Sequence, residues 1–269
     1  MPILNKDMTL CISVAARPSN LGTRFHNYLY DELGLNFIYK AFTTSNIEDA
    51  IAGVRGLGIR GCSVSMPFKE AVLPLVDVVE QSAAAIESVN TIVNNDGVLT
   101  ASNTDYEAVA DLIARHQLDP SSPVLVRGSG GMAKAVVAAF HGAGFSDLTV
   151  LARNVDAGEA IATKYGYRSV STDPQPGHAV LVNVTPLGMA SDSAEELAFT
   201  PAHVRAAETV FDVVAFPAET PLIRAARDAE KPVITGAEVI ALQAAAQFVR
   251  YTDARADRAR FGVLAGVGE

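Results

Sequence analysis

The hydrophobic and polar positions of the chain alternate between two kinds of segment. Short runs rich in valine, isoleucine and leucine are typical of strands buried on both faces. Between them, longer segments such as 23–34, 105–116 and 133–144 repeat their apolar residues with helical period. The predicted strands are 10–14, 37–42, 61–64, 123–128, 147–152, 179–184, 209–214 and 231–236. This alternation predicts an α/β fold, with a parallel sheet covered by helices on both faces.

Two segments interrupt the alternation. Residues 90–103 contain two strand-like runs joined by Asn-Asp-Gly, which predicts a β-hairpin. Residues 116–126 carry two prolines and two serines ahead of a new strand. A chain of 269 residues suits two domains. We expect the chain to cross between them near 116–126, with the helix that begins at Asp105 as the connector.

Composition and charge narrow the class of protein. With 49% hydrophobic and 19% charged residues, the chain is expected to be globular. Its net charge of −9 argues against a nucleic-acid partner, because binding many phosphates requires clustered lysine and arginine. The apolar runs are shorter than about 18 residues, so we expect no membrane span and no membrane partner.

The cysteines and the N-terminal residues favour a cytoplasmic protein. Residues 1–10 have neither the basic region nor the apolar core of a signal peptide. Cys11 and Cys62 lie in apolar runs and are expected to be buried and reduced. The five histidines and two cysteines show no ligand spacing, so no metal is expected.

The segment 126–136, "VRGSGGMAKAV", has the glycine spacing of a phosphate-binding turn between a strand and a helix. In that interpretation Gly128 permits the tight turn, Gly130 lets the backbone approach a pyrophosphate, and Ala133 keeps the helix close to the strand. The helix N-terminus then offers N–H groups and the positive end of its dipole to the phosphates. The pattern alone is equally compatible with an ordinary strand-to-helix turn.

The end of the next predicted strand bears on the choice of cofactor. About 20 residues after the loop, where an NAD enzyme carries an acidic residue, this chain has Arg153. An arginine there suits the 2′-phosphate of NADP, although a solvated arginine at a strand end is the alternative. Asp156 is close in sequence, so NAD remains possible.

A hydride-transferring enzyme also needs a base beside the carbinol, because the hydroxyl proton must be taken up. Lys69 follows a strand and Pro67, and Asp105 lies at a helix start, so both fall at carboxyl ends of strands, where open α/β sheets bind ligands. A lysine near a carboxylate can accept a proton there. Taken singly, Lys69 is equally a solvated helix residue and Asp105 an N-cap.

Seven ordered blocks, which span nearly the whole chain, resemble shikimate dehydrogenases. They are 61–69, 88–91, 103–105, the glycine loop, 183–189, 211–223 and 235–248. The resemblance implies an N-terminal open α/β substrate domain (1–104), a Rossmann-type NADP-binding domain (105–236), and a C-terminal helix (237–269) that returns to the first domain. It further implies a catalytic pair formed by Lys69 and Asp105.

The resemblance also assigns binding residues. Those implied for the hydroxyls of a cyclic hydroxy acid are Ser65, Asn90, Asp105 and Gln243. Those implied for NADP are Gly128, Ser129, Gly130, Gly131, Met132, Ala133, Arg153, Asn183, Thr185, Val213 and Gly236. With these assignments the chain is expected to be an NADP-dependent dehydrogenase, monomeric or homodimeric, that acts on a small cyclic polyhydroxy acid such as shikimate.

One motif departs from the family pattern. Family members read Ser-x-Ser-Pro-x-x-His-Asn and hold the substrate carboxylate with the two serines, whereas here Asn20 and Gly22 occupy those places. Either the neighbouring cations Arg17 and Arg24, with the hydroxyls of residues 19 and 23, take over the carboxylate, or they only decorate a helix start. His26 is expected to be a packing residue.

The alternative functions are a quinate or amino-shikimate dehydrogenase and a non-catalytic dinucleotide-binding regulator. The altered motif favours the first of these over strict use of shikimate. An intact Lys69 and Asp105 count against the second, because a sensor needs no proton acceptor. Ala157 stands where a second basic residue is usual in the family, so the expected affinity for a 2′-phosphate is lower.

Overall fold

The structure, a computed structural model, describes residues 4–190 and 193–254. The chain divides into two compact units. The first unit runs to Thr104 and resumes at Ala241, and the second comprises Asp105–Ile240. The last part of the predicted C-terminal helix, 255–269, lies outside the described residues. No helix in the described part of the chain has the length and apolar character that crossing a membrane requires.

The N-terminal part of the first unit alternates strands and helices and ends in a hairpin. A short 3-10 helix (Leu73–Leu75) lies between β3 and β4. The other elements, in chain order, are β1 (Thr9–Ala15), α1 (Leu21–Glu32), β2 (Phe37–Thr43), α2 (Ile47–Gly56), β3 (Gly61–Val64), β4 (Val78–Val79), α3 (Gln81–Ala84), β5 (Thr91–Asn95) and β6 (Val98–Ser102).

The sheet of the first unit has the strand order β2-β1-β3-β5-β6-β4. β1 pairs in parallel with β2 and β3, whereas β5 runs antiparallel to β3 and β6. The predicted hairpin is therefore confirmed, and it makes the sheet of this unit mixed, with parallel pairs among β1, β2 and β3. The hairpin turns at Asp96 and Gly97, whose φ angles of 52° and 91° suit a two-residue loop.

Apolar side chains fill both faces of this sheet. Successive residues of a strand point to opposite faces, so Ile12 packs with α2 on one side while Cys11 joins an aromatic cluster on the other. That cluster includes Tyr30, Tyr39 and Phe248. Cys11 and Cys62 are both free and fully buried, as predicted.

The C-terminal helix α9 (Gly236–Thr252) ends against Arg60 of the first unit. The Arg60 guanidinium donates to the carbonyl oxygens of Tyr251 (3.0 Å) and Arg250 (3.4 Å), and pairs with the Asp253 carboxylate (3.0 Å). The last carbonyls of a helix lack intrahelical partners, so this contact satisfies them. A Cβ on Gly61 would lie only 2.4 Å from the Tyr251 ring, so the close approach of this ring requires glycine at position 61. The expected return of this helix is confirmed.

The second unit contains strands and helices in regular alternation. Its elements, in chain order and before α9, are α4 (Thr104–Arg115), β7 (Val124–Arg127), α5 (Gly131–Gly142), β8 (Leu148–Leu151), α6 (Val155–Lys164), β9 (Arg168–Val170), β10 (Val180–Asn183), α7 (Pro201–Ala206), β11 (Thr209–Asp212), α8 (Pro221–Asp228) and β12 (Val233–Thr235).

The sheet of the second unit is parallel, with the order β12-β11-β10-β7-β8-β9. Counted from its first strand this is the 3-2-1-4-5-6 order of a Rossmann fold, which confirms the predicted dinucleotide-type domain. The strand order reverses between β7 and β10. At such a point the loops after neighbouring strands diverge and leave room for a ligand beyond their carboxyl ends.

The prediction that the chain passes from one domain to the other near 116–126 is wrong, because that segment lies inside the second unit. The unit begins at Asp105, within the first turn of α4. This helix packs on α5 so closely that a Cβ placed on Gly142 would come within 2.7 Å of the Tyr106 hydroxyl. Helix α4 belongs to the second unit from Asp105 onward, and the boundary between the two units lies at its first residue, Thr104.

Candidate functional site

Asn90 joins the first three motif blocks of the chain. Its backbone carbonyl accepts from Val64 N (2.9 Å), at the end of β3. The preceding residue, Val89, donates its N–H to the carbonyl of Lys69 (2.7 Å). The Asn90 side-chain oxygen accepts from the backbone N–H of Thr104 (2.9 Å), the residue before Asp105. The blocks that carry the predicted lysine and aspartate are therefore both attached to 89–90.

Neither Lys69 nor Asp105 fits its alternative interpretation, which was a solvated helix residue for Lys69 and a helix N-cap for Asp105. Lys69 lies in the turns that follow β3, not on a helix, and is partly buried. Asp105 is the second residue of α4 and is also partly buried. A carboxylate in the first turn of a helix is stabilised by the N-terminal dipole. Lys69 belongs to the first unit and Asp105 opens the second.

Ser65 is exposed at the carboxyl end of β3. Its N–H donates to the carbonyl of Val14 in β1 (3.0 Å), and Ala16 N donates to Met66 O (3.2 Å). The loop after β3 therefore runs alongside the loop after β1, which leads to Asn20 and Gly22. Within the first unit, Ser65 and the altered serine motif follow neighbouring parallel strands.

The altered motif forms the start of α1. Asn20 is the N-cap residue, but it is exposed and its side chain makes no capping hydrogen bond. Gly22 sits over Tyr39, and a Cβ there would lie 3.3 Å from the Tyr39 hydroxyl oxygen. A serine at 22 therefore requires Tyr39 to move. Arg17 and Arg24 are exposed and make no ion pair within the described residues.

The C-terminal helix contributes one expected residue and one that sequence reasoning missed. Gln243 is partly buried on α9. Gln247, one turn further on, is buried and donates its Nε2 to the Asn90 carbonyl (3.3 Å) and the Thr91 hydroxyl (2.9 Å). Its spacing of four residues from Gln243 on the same helix is the signal that would have found it.

His26 is a packing residue, as predicted. Its ring is 1% exposed and stacks on Tyr39, with the centroids 4.4 Å apart and an interplanar angle of 12°. Burial lowers the pKa of His26 to about 3, although a hydrogen bond with Gln247 opposes the shift. A neutral imidazole is therefore the stable form of this side chain.

The glycine loop of the second unit has the geometry of an anion site. Gly128 has a φ of 126°, and a Cβ there would lie 2.7 Å from Val184 Cγ2, so both conformation and space require glycine. Gly130 and Gly131 are exposed, and a Cβ on either would meet nothing within 4 Å. Gly130 is the N-cap of α5 and has no side chain to cap its N–H groups. Ala133 is fully buried against the sheet.

The first N–H groups of α5 are thus available to a ligand. The backbone N–H groups of Gly131 and Met132 donate to no group within the described part of the chain. Ser129, beside them in the loop, is partly buried. Unpaired amides at a helix N-terminus next to an open surface fit the phosphates of a dinucleotide.

The turn after β10 is braced from within. The Asn183 side chain donates to Leu187 O (3.2 Å) and Asp212 Oδ1 (3.0 Å), and its oxygen accepts from the N–H and hydroxyl of Thr185 (3.0 and 2.7 Å). All of its hydrogen-bonding capacity is used. The Asn183 side chain consequently shapes the turn that presents Thr185.

Asp212 is a buried carboxylate that sequence reasoning did not single out. It is fully buried and accepts from Thr220 Oγ1 (2.7 Å), Val214 N (3.0 Å) and Asn183. Burial raises the pKa of Asp212, and these three donors oppose the shift. The side chain ties the turn after β10 to the start of α8.

Val213 and Gly236 belong to the same edge of the second sheet. Val213 N donates to the Asn183 carbonyl (3.0 Å). A Cβ on Gly236 would lie 2.4 Å from the Val214 carbonyl atoms and 2.5 Å from the Val213 oxygen, so only glycine fits there. Together with the Gly128–Val184 contact, these packing contacts bring the loop residues assigned to the cofactor to adjoining strand ends.

Arg153 lies just past β8 and is exposed. The following residue, Asn154, caps α6 by accepting from Ala157 N (3.1 Å). Arg153 makes no ion pair with any described residue. Within the described residues, no group of three or more His, Cys, Asp or Glu side chains is arranged to hold a metal ion.

Comparison with known proteins supports the resemblance to shikimate dehydrogenases. The family model for the shikimate dehydrogenase substrate binding domain matches residues 19–92. A shikimate dehydrogenase-like protein of Haemophilus influenzae is 56% identical over 254 residues, which is 94% of each chain. A shikimate dehydrogenase (NADP(+)) of Oleidesulfovibrio alaskensis is 36% identical over 83% of this chain and 82% of its own. A solved structure of a shikimate 5-dehydrogenase-like protein has a TM-score of 0.95 at 53% identity, covering 98% of this chain and 100% of that one.

Proposed function

Because the chain belongs to the shikimate dehydrogenase family, we propose that it transfers hydride between NADP(H) and a cyclic polyhydroxy acid such as shikimate. The observation that carries the proposal is the attachment of two blocks to 89–90. The carbonyl of Lys69 accepts from Val89, and the N–H of Thr104, next to Asp105, donates to Asn90. A structural role alone does not call for a lysine and a carboxylate at these two places.

In this proposal Lys69 and Asp105 handle the proton. Oxidation of a secondary alcohol releases a hydride and a hydroxyl proton, and the proton needs a positioned acceptor. The Lys69 amine takes that proton, and returns it when the ketone is reduced. The Asp105 carboxylate, at the N-terminus of α4, orients the amine and the reacting hydroxyl.

NADP, when bound, supplies the nicotinamide that accepts or donates the hydride. The residues proposed to hold it are those of the loop Gly128–Ala133, whose unpaired amides take the pyrophosphate. Arg153 takes the 2′-phosphate, because a guanidinium is a bidentate phosphate donor. The ends of β10, β11 and β12, at Thr185, Val213 and Gly236, hold the rest of the cofactor. With Ala157 in place of a second cation, NAD remains a weaker alternative.

The substrate is proposed to lie against the first unit. Ser65, Asn90 and Gln243 bind its hydroxyls, and the segment from Asn20 to Gly22 meets its carboxylate. In that segment Gly22 sits over the Tyr39 hydroxyl and offers no hydroxyl of its own. The exposed Arg17 and Arg24 are the cations available for the carboxylate. This altered segment is the specific observation that favours quinate or another cyclohexane acid as a second candidate.

The proposal also covers the cellular compartment and the oligomeric state of the protein. Cys11 and Cys62 are free and buried, which suits a reducing compartment such as the cytoplasm. A monomer or homodimer, with small molecules as ligands, is the expected form.

The deciding experiment is an absorbance assay of nicotinamide reduction. Shikimate, quinate and related cyclic acids are each tested with NADP and NAD. The proposal expects turnover with at least one acid and a lower KM for NADP than for NAD. A purified, folded protein that binds NADP but reduces it with none of these acids would instead be a dinucleotide-binding regulator.

A further inference from the structure

A buried chain of hydrogen bonds runs through the first unit from Tyr39 to Thr104. Its members are Tyr39, Ser63, Gln247, Thr91, Asn90 and Thr104. They come from β2, β3, α9, the start of β5 with the residue before it, and the start of α4, and Tyr251 joins from the end of α9. The chain connects the aromatic cluster beneath α1 with the residue that precedes Asp105.

Ser63 fixes the direction of the first links. Its hydroxyl oxygen lies 2.9 Å from the Tyr39 hydroxyl, 3.0 Å from the Tyr251 hydroxyl and 3.2 Å from Gln247 Oε1. A serine hydroxyl has one donor and two acceptor sites. Since Gln247 Oε1 can only accept, Ser63 donates to it and accepts from both tyrosines.

Gln247 has only one permitted orientation. Its Nε2 lies 3.3 Å from the Asn90 backbone carbonyl, which can only accept. The atom at that place must therefore be the amide nitrogen. Its second N–H donates to the Thr91 hydroxyl (2.9 Å), and the Thr91 hydroxyl in turn donates a hydrogen bond to the Asn90 side-chain oxygen (2.8 Å).

Asn90 is fixed in the same way. Its Oδ1 accepts from the Thr91 hydroxyl, from the Thr104 backbone N–H (2.9 Å) and from the Thr104 hydroxyl (3.1 Å). A backbone N–H can only donate, so this atom must be the oxygen. The amide nitrogen therefore points elsewhere, and it makes no hydrogen bond within the part of the chain that the structure describes.

We propose that Thr91, itself oriented by Gln247, is a positioning residue that acts with the backbone N–H of Thr104 to hold the Asn90 carboxamide in one orientation, so that Asn90 offers only N–H donors to the substrate. The identity of that substrate rests on the proposed function. A hydroxyl or carbonyl oxygen can accept from Asn90, so alcohol and ketone are both recognised. An ammonium has three donors and no acceptor, so the site selects against an amino group in that place.

The test compares three variants of full-length protein. Thr91→Val removes the hydroxyl but keeps the branched shape, and Thr91→Ser keeps the hydroxyl. Thr100→Val is the matched control, a partly buried threonine on the neighbouring strand β6. Circular dichroism and the unfolding midpoint check that each variant folds.

Steady-state kinetics with shikimate gives the main measurement. Thr91→Val should lower kcat/KM by about tenfold, mostly through KM, as expected for the loss of one buried hydrogen bond. Thr91→Ser should restore most of the loss, and Thr100→Val should match the unchanged protein. The KM for NADP and the pH profile should not move. The preference for shikimate over amino-shikimate should narrow in Thr91→Val.

Equal kinetics for Thr91→Val and the unchanged protein would overturn the proposal. So would an equal loss in Thr91→Ser, since packing and not the hydroxyl would then be responsible. A further readout needs no substrate: the side-chain amide protons of Gln247 should exchange slowly with solvent by NMR, and faster in Thr91→Val. If the unchanged protein oxidises none of the acids, the proposed function fails, and this NMR comparison alone decides whether the orientation is fixed.

Discussion

Mild acidification should lower the free energy of unfolding because His26 is buried as a neutral imidazole. Its ring is 1% exposed and stacked on Tyr39, and burial lowers its pKa from 6.5 to about 3. Its Nδ1 has no partner among the described residues. The neutral form therefore stabilises the fold fully above pH 6.5, and that contribution is lost as the pH falls toward 3. Each pH unit in this window corresponds to about 1.4 kcal/mol, so the loss between pH 7.5 and 5 is about 2 kcal/mol.

The assay is urea unfolding at pH 7.5, 6 and 5, followed by circular dichroism. His26→Phe is the reference, because it keeps an aromatic ring against Tyr39 and cannot be protonated. Loss of the Gln247 hydrogen bond shifts the stability of this variant by an amount that does not depend on pH. The two proteins differ only at residue 26, so the difference between the two curves reports His26. If the free energies of unfolding of the two proteins fall in parallel between pH 7.5 and 5, the burial argument is refuted.

Three further substitutions test the second unit and the proton transfer. Lys69→Ala should lower kcat by about two to four orders of magnitude in a folded protein, and normal turnover would remove Lys69 from the mechanism. Arg153→Ala should raise the KM for NADP more than the KM for NAD, and equal increases in steady-state assays would contradict a 2′-phosphate contact. Gly236→Ala should lower the free energy of unfolding by about 1–3 kcal/mol, because the added Cβ would overlap the Val214 carbonyl. Gly53→Ala, whose Cβ meets nothing, is its control in denaturant titrations.

Most strands could be predicted from the sequence because buried strands are recognisable by their apolar composition. The run 179–184 carries three consecutive apolar residues, Val-Leu-Val, without alternation, and it forms β10, which is buried throughout. Asn-Asp-Gly predicted the hairpin, because Asp96 and Gly97 adopt positive φ readily. The mixed first sheet was not predictable in this way. Local patterns specify that a segment is a strand, but its direction depends on the strands it pairs with.

The candidate site was predictable where backbone conformation demands one residue type. Gly128 was predicted to allow a tight turn, and its positive φ and the close turn after β10 do exclude other residues at this position. Gln247 was missed because a glutamine in an alanine-rich helix has the same local sequence whether it is exposed or buried, and its spacing of four residues from Gln243 was the one signal that pointed to it. Asn183 was assigned to the cofactor, and its side chain is fully used in hydrogen bonds with Thr185, Leu187 and Asp212. Which polar atoms are already paired depends on tertiary contacts. The roles of Lys69 and Asp105 stay predictions.

The contact between Arg60 and the end of α9 has a consequence for how the chain is made. The Arg60 guanidinium bonds a carbonyl 191 positions further along the chain. During synthesis, domains fold as their residues emerge, and the second unit is one continuous segment, Asp105–Ile240. The first unit emerges earlier but lacks the helix that covers its aromatic cluster. The first unit therefore completes its folding only after Tyr251 has left the ribosome, and part of its core stays uncovered until then.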